Sequence, residues 1–300
     1  MAQVQVLLST WNGERWLGEL LDSLLQQSFQ DWTLLVRDDG SSDQTCQLLV
    51  AWQRRWPQKL VLLETAYEHL GSTASFSRLV ELSQAPYLMF CDQDDVWFPE
   101  KMASLLAEMQ RLEQVYGTDL PLLVHADMAV VDEQRRVLNA SFWQSRSFNV
   151  TQPQHAYLLD NIVSGCAALF NRVAAQMAFP APPEAIQHDR WLALICAWWG
   201  KVGVLAEPLM FYRQHDHNEI GAASVNWCRP ALAQRVERWS QQAEAFLRQF
   251  AAHLDKADYK KVQALAELRH LHGWQRRRHI LRHRLFKQKV MANWVLLLFA

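Results

Sequence analysis

Residues 87 to 101 read Tyr87-Leu88-Met89-Phe90-Cys91-Asp92-Gln93-Asp94-Asp95-Val96-Trp97-Phe98-Pro99-Glu100-Lys101. An apolar run of strand length ends in three acids, and a helix-opening proline follows. Carboxylates this close raise one another's pKa, so a chain that keeps them together ordinarily supplies a compensating positive charge. A divalent cation is the simplest such charge. Oxygen ligands suit a hard ion such as Mg²⁺ or Mn²⁺, which keeps waters and takes further oxygens from a substrate diphosphate. The plain alternative is an acidic turn capping the helix that Pro99 opens.

The same arrangement recurs on either side of this stretch. Val4 to Ser9 reads as a first strand, and Trp16, Leu17, Leu20, Leu21, Leu24 and Leu25 then fall on one helical stripe. Trp32 to Val36 reads as a second strand with a helix through Trp52 behind it, and Leu60 to Leu63 as a third. A helix over Ser72 to Gln84, the strand Tyr87 to Cys91, a helix over Pro99 to Tyr116 and a strand over Leu122 to Asp127 complete the alternation. Short apolar strands alternating with amphipathic helices predict an α/β domain with a largely parallel sheet. In such sheets ligands bind beyond the carboxyl ends of the strands. The three polar clusters Ser9-Thr10-Trp11-Asn12-Gly13, Arg37-Asp38-Asp39-Gly40-Ser41 and Asp92-Gln93-Asp94-Asp95 all leave strands at that end, so they are expected to converge on one site. Each has a simpler reading: Asn12 and Ser42 as helix caps, Asp38-Asp39-Gly40 as a turn. Their coincidence in three places is what argues for a site.

Composition narrows the class. Half of the 300 residues are hydrophobic, enough for one large domain and an appendage, and the formal net charge of −1 argues against a nucleic-acid footprint spread over the whole protein. The five cysteines, Cys46, Cys91, Cys166, Cys196 and Cys228, are scattered and form no CxxC pair, as expected of reduced thiols rather than disulfides or a zinc site. Met1 to Leu8 has neither a basic n-region nor a long apolar h-region, so a cytoplasmic protein is expected. Of the fourteen tryptophans, Trp16, Trp198 and Trp199 read as core, whereas Trp97, beside the acids, reads as lining the site. Asn161 to Ala167 is rich in small residues and reads either as a strand with a bulge or as a place where an acceptor approaches the backbone. His125 and Asp127 leave the fifth strand, the histidine more in keeping with a structural role.

Leu7 to Gly13, Val36 to Asp43 and Phe90 to Trp97, in that order, resemble family 2 glycosyltransferases. Asp92-Gln93-Asp94-Asp95, His188-Asp189-Arg190-Trp191 and Tyr212-Arg213-Gln214-His215 resemble more narrowly the bacterial rhamnosyltransferase-type branch that builds surface polysaccharides of the O-antigen kind. The resemblance covers roughly residues 1–222. It implies a glycosyltransferase A-type fold over 1–222, with a helical, basic extension over 223–300. It also implies roles. Thr10 and Asp39 match positions that contact the nucleotide base, with Asp38 beside them and Asn12 in the same strand-end cluster. Asp92, Asp94 and Asp95 match the DxD-type cluster for ribose and metal, with Asp92 placed on the nucleotide sugar and Asp94 and Asp95 on the ion. Asp189 matches the catalytic base, and His215 faces the diphosphate or completes the metal shell. The plain reading of Asp189 is the N-cap of the helix over Trp191 to Trp199.

The chemistry this implies is inverting, metal-dependent transfer of a sugar from a nucleotide donor to a glycan, with a lipid-linked acceptor and Mg²⁺ or Mn²⁺ as cofactor. The first expectation for the donor is dTDP-rhamnose, with UDP-hexose or UDP-N-acetylhexosamine as the alternative. A nucleotidyltransferase would want a Gly-rich loop after the first strand, which Ser9 to Gly13 is not. A non-catalytic nucleotide-sugar-binding scaffold is the reading from another class. Beyond Val225, Arg229 to Leu254 and Ala257 to Leu271 read as long helices. Residues 269–300 contain no acid but carry Arg269, Arg276, Arg277, Arg278, Arg282, Arg284, Lys287 and Lys289 ahead of Trp294 to Phe299. That apolar end is too short to span a bilayer, which takes about 20 residues. Peripheral contact with the inner membrane is expected of it, against the alternative that it packs on its own domain or a second subunit.

Overall fold

A computed structural model describes residues 2–64, 68–216 and 229–299. The boundary expected at residue 222, and Cys228, lie outside them. The elements in chain order are β1 (Val4–Thr10), α1 (Leu17–Leu25), β2 (Trp32–Asp38), α2 (Thr45–Arg55), β3 (Leu60–Leu62), α3 (Ser72–Leu82), β4 (Tyr87–Cys91) and β5 (Val96–Trp97). They continue with α4 (Lys101–Tyr116), β6 (Leu122–Val131), β7 (Val137–Asn139), α5 (Phe142–Arg146), β8 (Ala168–Asn171), α6 (Arg172–Ala178), α7 (His188–Trp199) and β9 (Lys201–Arg213). Four helices follow: α8 (Arg229–Phe250), α9 (Lys256–Ala266), α10 (Gly273–His283) and α11 (Val290–Phe299).

The strands form one mixed sheet in the order β3-β2-β1-β4-β8-β6-β9-β5, with β7 paired to β6. The first four are parallel, as expected from strands that read as continuous apolar runs. β8 is antiparallel to both β4 and β6, which therefore run in one direction, and β6 and β9 are parallel to each other, so the strands read from the sequence share one direction and β8, β7 and β5 are the antiparallel additions. Successive strand residues point to opposite faces. Val6, Leu8, Met89 and Cys91 enter a core beneath α1, α2 and α4, whereas Leu7, Leu88 and Phe90 enter a second core beneath α3, α6 and α7. The C-terminal helices extend the second core: Trp239, Phe246, Leu265, Ile280 and Leu296 are buried in it. Trp198 and Trp199 pack on Phe246 there, as expected.

Two features of register position the site. Thr10 pairs with Asp38 and Leu8 with Cys91, so β1, β2 and β4 end along one edge. β5, a two-residue strand, pairs antiparallel with the end of β9, Val96 opposite Phe211 and Trp97 opposite Met210. This pairing carries the acidic turn to the residues that follow β9. The helix expected from Pro99 starts at Lys101, and β6 runs on to Val131. Consequently His125 lies mid-strand, fully buried, with burial pushing its pKa down to about 3, and plays the structural part. Residues 165–167 form a 3-10 turn leading into β8, not a bulged strand. Cys91, Cys166 and Cys196 are buried free thiols and Cys46 is half-buried, in keeping with the reading of the cysteines.

Candidate active site

The loops leaving β1 and β2 are tied to each other. The Thr10 hydroxyl, fully buried, donates to Asp38 at 2.8 Å, and Asp38 also accepts from the Ser41 amide at 2.8 Å and the Ser41 hydroxyl at 2.7 Å. Burial works to raise the Asp38 pKa, but the bonds from Ser41 and Thr10 outweigh it and hold the carboxyl below its ordinary range. Asn12, at a positive φ of 49°, accepts from the Ser42 amide at 2.8 Å, while its own amide donates to the Ser41 hydroxyl. It caps neither helix; it clamps one strand-end loop to the other. Asp39 is buried and accepts from the amides of Leu70 and Gly71 at 2.8 and 2.9 Å and from the Arg37 guanidinium. His69, at 3.0 Å from the same carboxylate, turns its ring toward the exposed indole of Trp11, 5.2 Å between centroids. Removing one member of a buried ion pair costs about 3–5 kcal/mol. Asp39→Ala, which leaves the buried Arg37 guanidinium its bonds to Ser75 and the Glu68 carbonyl but takes away its carboxylate, is therefore expected to lower stability toward the lower end of that range, read as a urea midpoint shift at constant m.

The acidic turn is braced from above and below. Gln93 bonds both the amide and the carbonyl of Trp11, each at 2.9 Å. A Cβ on Gly13 would stand 2.3 Å from the Gln93 side-chain oxygen, so a larger residue there would push that side chain off the Trp11 backbone. Asp94 meets His215 Nε2 at 2.8 Å, 121 residues away in sequence. The His215 ring stacks on Trp16, 5.7 Å between centroids, and the Arg15 and Arg213 guanidinium groups lie 4.2 and 4.3 Å from the centre of that indole. Arg213 is buried and donates to the Asp94 carbonyl at 2.9 Å, the Glu133 carbonyl at 2.6 Å and the Glu19 carboxylate at 2.6 Å. Trp16 is thus part of the site's wall, not the core residue its helical spacing predicted.

Beneath this turn Asp95 is fully buried, and neither of its oxygens has a hydrogen-bond partner apart from the weakly polar Cys166 thiol alongside. Burial, followed by the Asp94 and Asp92 carboxylates, pushes its pKa well up. Ligand atoms of Asp92, Asp95 and Cys166 lie within 4.8 Å of one another. Lys101, also fully buried, donates to the Cys166 carbonyl at 2.5 Å, and burial brings its pKa down to about 8. Its ammonium sits 3.4 Å from the centre of the Trp97 ring. Trp97 therefore belongs to the core: alternation along β5 turns it inward, its amide bonds Ser23, and no face of the indole is left for a ligand.

Asp189 lies in the first turn of α7, whose N-cap is Gln187, so it is not the cap. It accepts from the Gly165 amide at 3.0 Å. A Cβ on Gly165 would stand 3.0 Å from Asp189 Cβ and 3.1 Å from His188 Nε2. The small residue there admits the start of α7, rather than an acceptor. The next residue, Cys166, stands beside Asp92 and Asp95, so a single turn connects Asp189 to the acidic cluster. The buried His188 ring seals the joint against Phe76 and Phe90 at 4.2 and 4.6 Å, its pKa driven to about 3 by burial.

Three strand-end loops in order are followed by an acidic turn, a histidine paired with one of its acids, and a further acid joined to the turn through residues 165–167. Residues 5–178 match the family model described as Glycosyl transferase family 2. The chain belongs to that family. The dTDP-rhamnosyl transferase RfbG of Shigella flexneri is 25% identical to this glycosyltransferase over 228 residues, 72% of this chain and 74% of its own. In fold it is similar to the mannosyltransferase PcManGT of Pyrobaculum calidifontis, solved with GDP-Man and Mn²⁺, at a TM-score of 0.60 and 15% identity over 98% of this chain and 78% of that one. Staphylococcus aureus TarS 1–349 with UDP-GlcNAc matches at 0.58 and 16% identity, with the same coverage of both chains. The glycosyltransferase A-type fold is thereby shown.

The donor atoms of this glycosyltransferase fit a hard cation at one place better than another. The Asp94 oxygen and His215 nitrogen are hydrogen-bonded at 2.8 Å, close to the roughly 3 Å between adjacent ligands on an octahedral ion at 2.0–2.1 Å, so an ion could take the place of the proton between them. The Asp92, Asp95 and Cys166 group includes a thiol, a poor donor for Mg²⁺ or Mn²⁺, and already has the Lys101 ammonium beneath it. Groups behind a metal ligand commonly hold tenfold or more of its affinity. Trp16→Leu, which removes the ring stacked on His215, is expected to weaken Mn²⁺ binding about tenfold while leaving the fold intact, read by Mn²⁺ titration followed by electron paramagnetic resonance.

Proposed function

We propose that this glycosyltransferase moves a sugar from a nucleotide diphosphate donor to a hydroxyl of a bacterial surface glycan, with inversion at the anomeric carbon. The observation that carries the reading is the 165–167 turn. Its Gly165 amide bonds the Asp189 carboxylate and its Cys166 stands beside Asp92 and Asp95, which supports reading Asp189 as the base that serves the acidic turn. Asp94 and His215 would hold Mg²⁺ or Mn²⁺, which when bound takes up negative charge developing on the departing diphosphate. Thr10, Asp38 and Asp39, with Asn12 clamping their loops, shape the nucleotide end, and Asp92 serves the ribose. Asp95 lies buried beneath the turn, where burial and the neighbouring carboxylates favour its neutral form.

An acceptor hydroxyl is a weak nucleophile, and its proton passes to Asp189 as its oxygen bonds to the anomeric carbon and the bond to the diphosphate breaks. One displacement with one base inverts the carbon, and no second carboxylate is needed as nucleophile. The resemblance to RfbG favours dTDP-rhamnose as donor. UDP-hexose and UDP-N-acetylhexosamine are the alternatives, and the acceptor is placed on a lipid carrier. Incubation with dTDP-rhamnose, Mn²⁺ and an undecaprenyl-diphosphate-linked sugar, followed by proton NMR of the product, tests this reading. An inverted anomeric centre supports it; retention refutes the single-base mechanism.

A further inference from the structure

The acid-free segment is only partly absorbed by the core. Ile280, Leu285, Ala292 and Leu296 are buried, but Trp274, Leu281, Val290, Met291, Trp294 and Leu298 are exposed, Met291 by 81%. The exposed set is ordered by helix geometry. On α10, Trp274 and Leu281 are two turns apart on one face, and Arg277, Arg278 and Arg282 flank them on the same side. On α11, Met291, Trp294 and Leu298 recur at the spacing of a single stripe, with Val290 at its edge. The Arg277 guanidinium donates to the Leu298 carbonyl at 2.9 Å, which locks the two helices side by side. Arg278, Arg282, Arg284 and Lys289 are exposed and make no ion pair among the described residues.

We infer that the outward faces of α10 and α11 dock this glycosyltransferase on an anionic bilayer. Charge complementarity selects that occupant. The stripe is apolar and aromatic, its borders are arginine and lysine, and no acid lies within residues 269–300. A second copy would set like-charged borders against each other. No helix among the described residues is long and apolar enough to cross a membrane, so the pair lies on the surface.

The link between these helices is anchored to residues 149–160. Lys287 pairs with Asp160 and donates to the Leu159 carbonyl at 2.6 Å, the Gln288 amide donates to Asp160 at 2.7 Å, and the Asn149 amide donates to Gln288 at 3.1 Å. Arg190, the residue after Asp189, donates to the carbonyl of neighbouring Leu158 at 2.9 Å. The docked face is thereby braced against the segment behind the proposed base. Its use in presenting a lipid-carried acceptor rests on the proposed function; the docking itself does not.

The test is sedimentation of the full chain with vesicles of phosphatidylcholine alone, and of phosphatidylcholine with phosphatidylglycerol, at low and high salt. Nucleotide binding is measured in parallel. Binding is expected only to the phosphatidylglycerol vesicles and to weaken with salt. Arg278→Gln, Arg282→Gln and Arg284→Gln together should weaken it by about fivefold per arginine. Met291→Ser with Trp294→Ser should reduce it at every salt concentration, with nucleotide binding unchanged in both variants. Absence of vesicle binding, equal binding to both lipids, indifference to the substitutions, equal affinity for duplex DNA, or a dimer in sedimentation velocity that the serine variant dissolves would each overturn the inference. Vesicle binding without nucleotide binding would refute the donor reading alone.

Discussion

Asp189→Asn is expected to bind nucleotide within about twofold of the parent protein and to lose turnover by about 10²–10⁴-fold, the range a positioned general base supplies. The substitution keeps the shape of the side chain and leaves an amide oxygen to accept from the Gly165 amide at 3.0 Å, so the 165–167 turn should stay in place. What it removes is the capacity to take a proton. The pattern to look for is therefore a fall in kcat with little change in KM for the donor. Turnover near that of the parent would remove Asp189 as the base. Loss of nucleotide binding together with turnover would show that Asp189 acts on structure.

Asp94→Ala is expected to abolish the part of nucleotide binding that depends on a divalent cation. The side chain is one of the two atoms set at a chelating separation, and its removal also leaves His215 without its carboxylate partner at 2.8 Å. His215→Ala should act in the same direction with a smaller effect, because a neutral imidazole contributes less charge attraction than a carboxylate. If both variants retain full Mn²⁺-dependent binding, the ion belongs instead to the Asp92, Asp95 and Cys166 group. The Arg213 contact goes to the Asp94 backbone carbonyl, which neither substitution removes, so the turn is expected to hold in both.

The parallel half of the fold was legible because β1, β2 and β4 are apolar runs that end in polar clusters, and their register sets those ends side by side. The short antiparallel strands were less so. β8 has only four residues, and β5 only two, so neither shows a period that could be read. Yet it is β5 that brings Asp94 to His215, and only the resemblance had linked these two positions. Proximity in sequence misled at Trp97: it stands two residues from Asp95, but strand alternation turns it into the core over Lys101. Periodicity misled at Trp16. It continues the apolar stripe of α1, yet as the residue before the helix it turns to His215 and Arg213. Arg213 was quoted as part of a motif, but its hold on Asp94, Glu19 and Glu133 depends on chain segments 80 or more residues apart folding together.

The strand-end loops of β1, β2 and β4 are proposed to bind a nucleoside diphosphate through a divalent cation. Titration calorimetry of the purified chain with dTDP, UDP and GDP, each with Mn²⁺ and again with chelator, tests this binding most directly. The account predicts that one nucleotide, first of all dTDP, binds with Mn²⁺ and loses that binding when the chelator is present. Preference for UDP would move the donor to a hexose or N-acetylhexosamine and leave the mechanism standing. Binding of no nucleotide diphosphate, with or without the ion, would contradict the account.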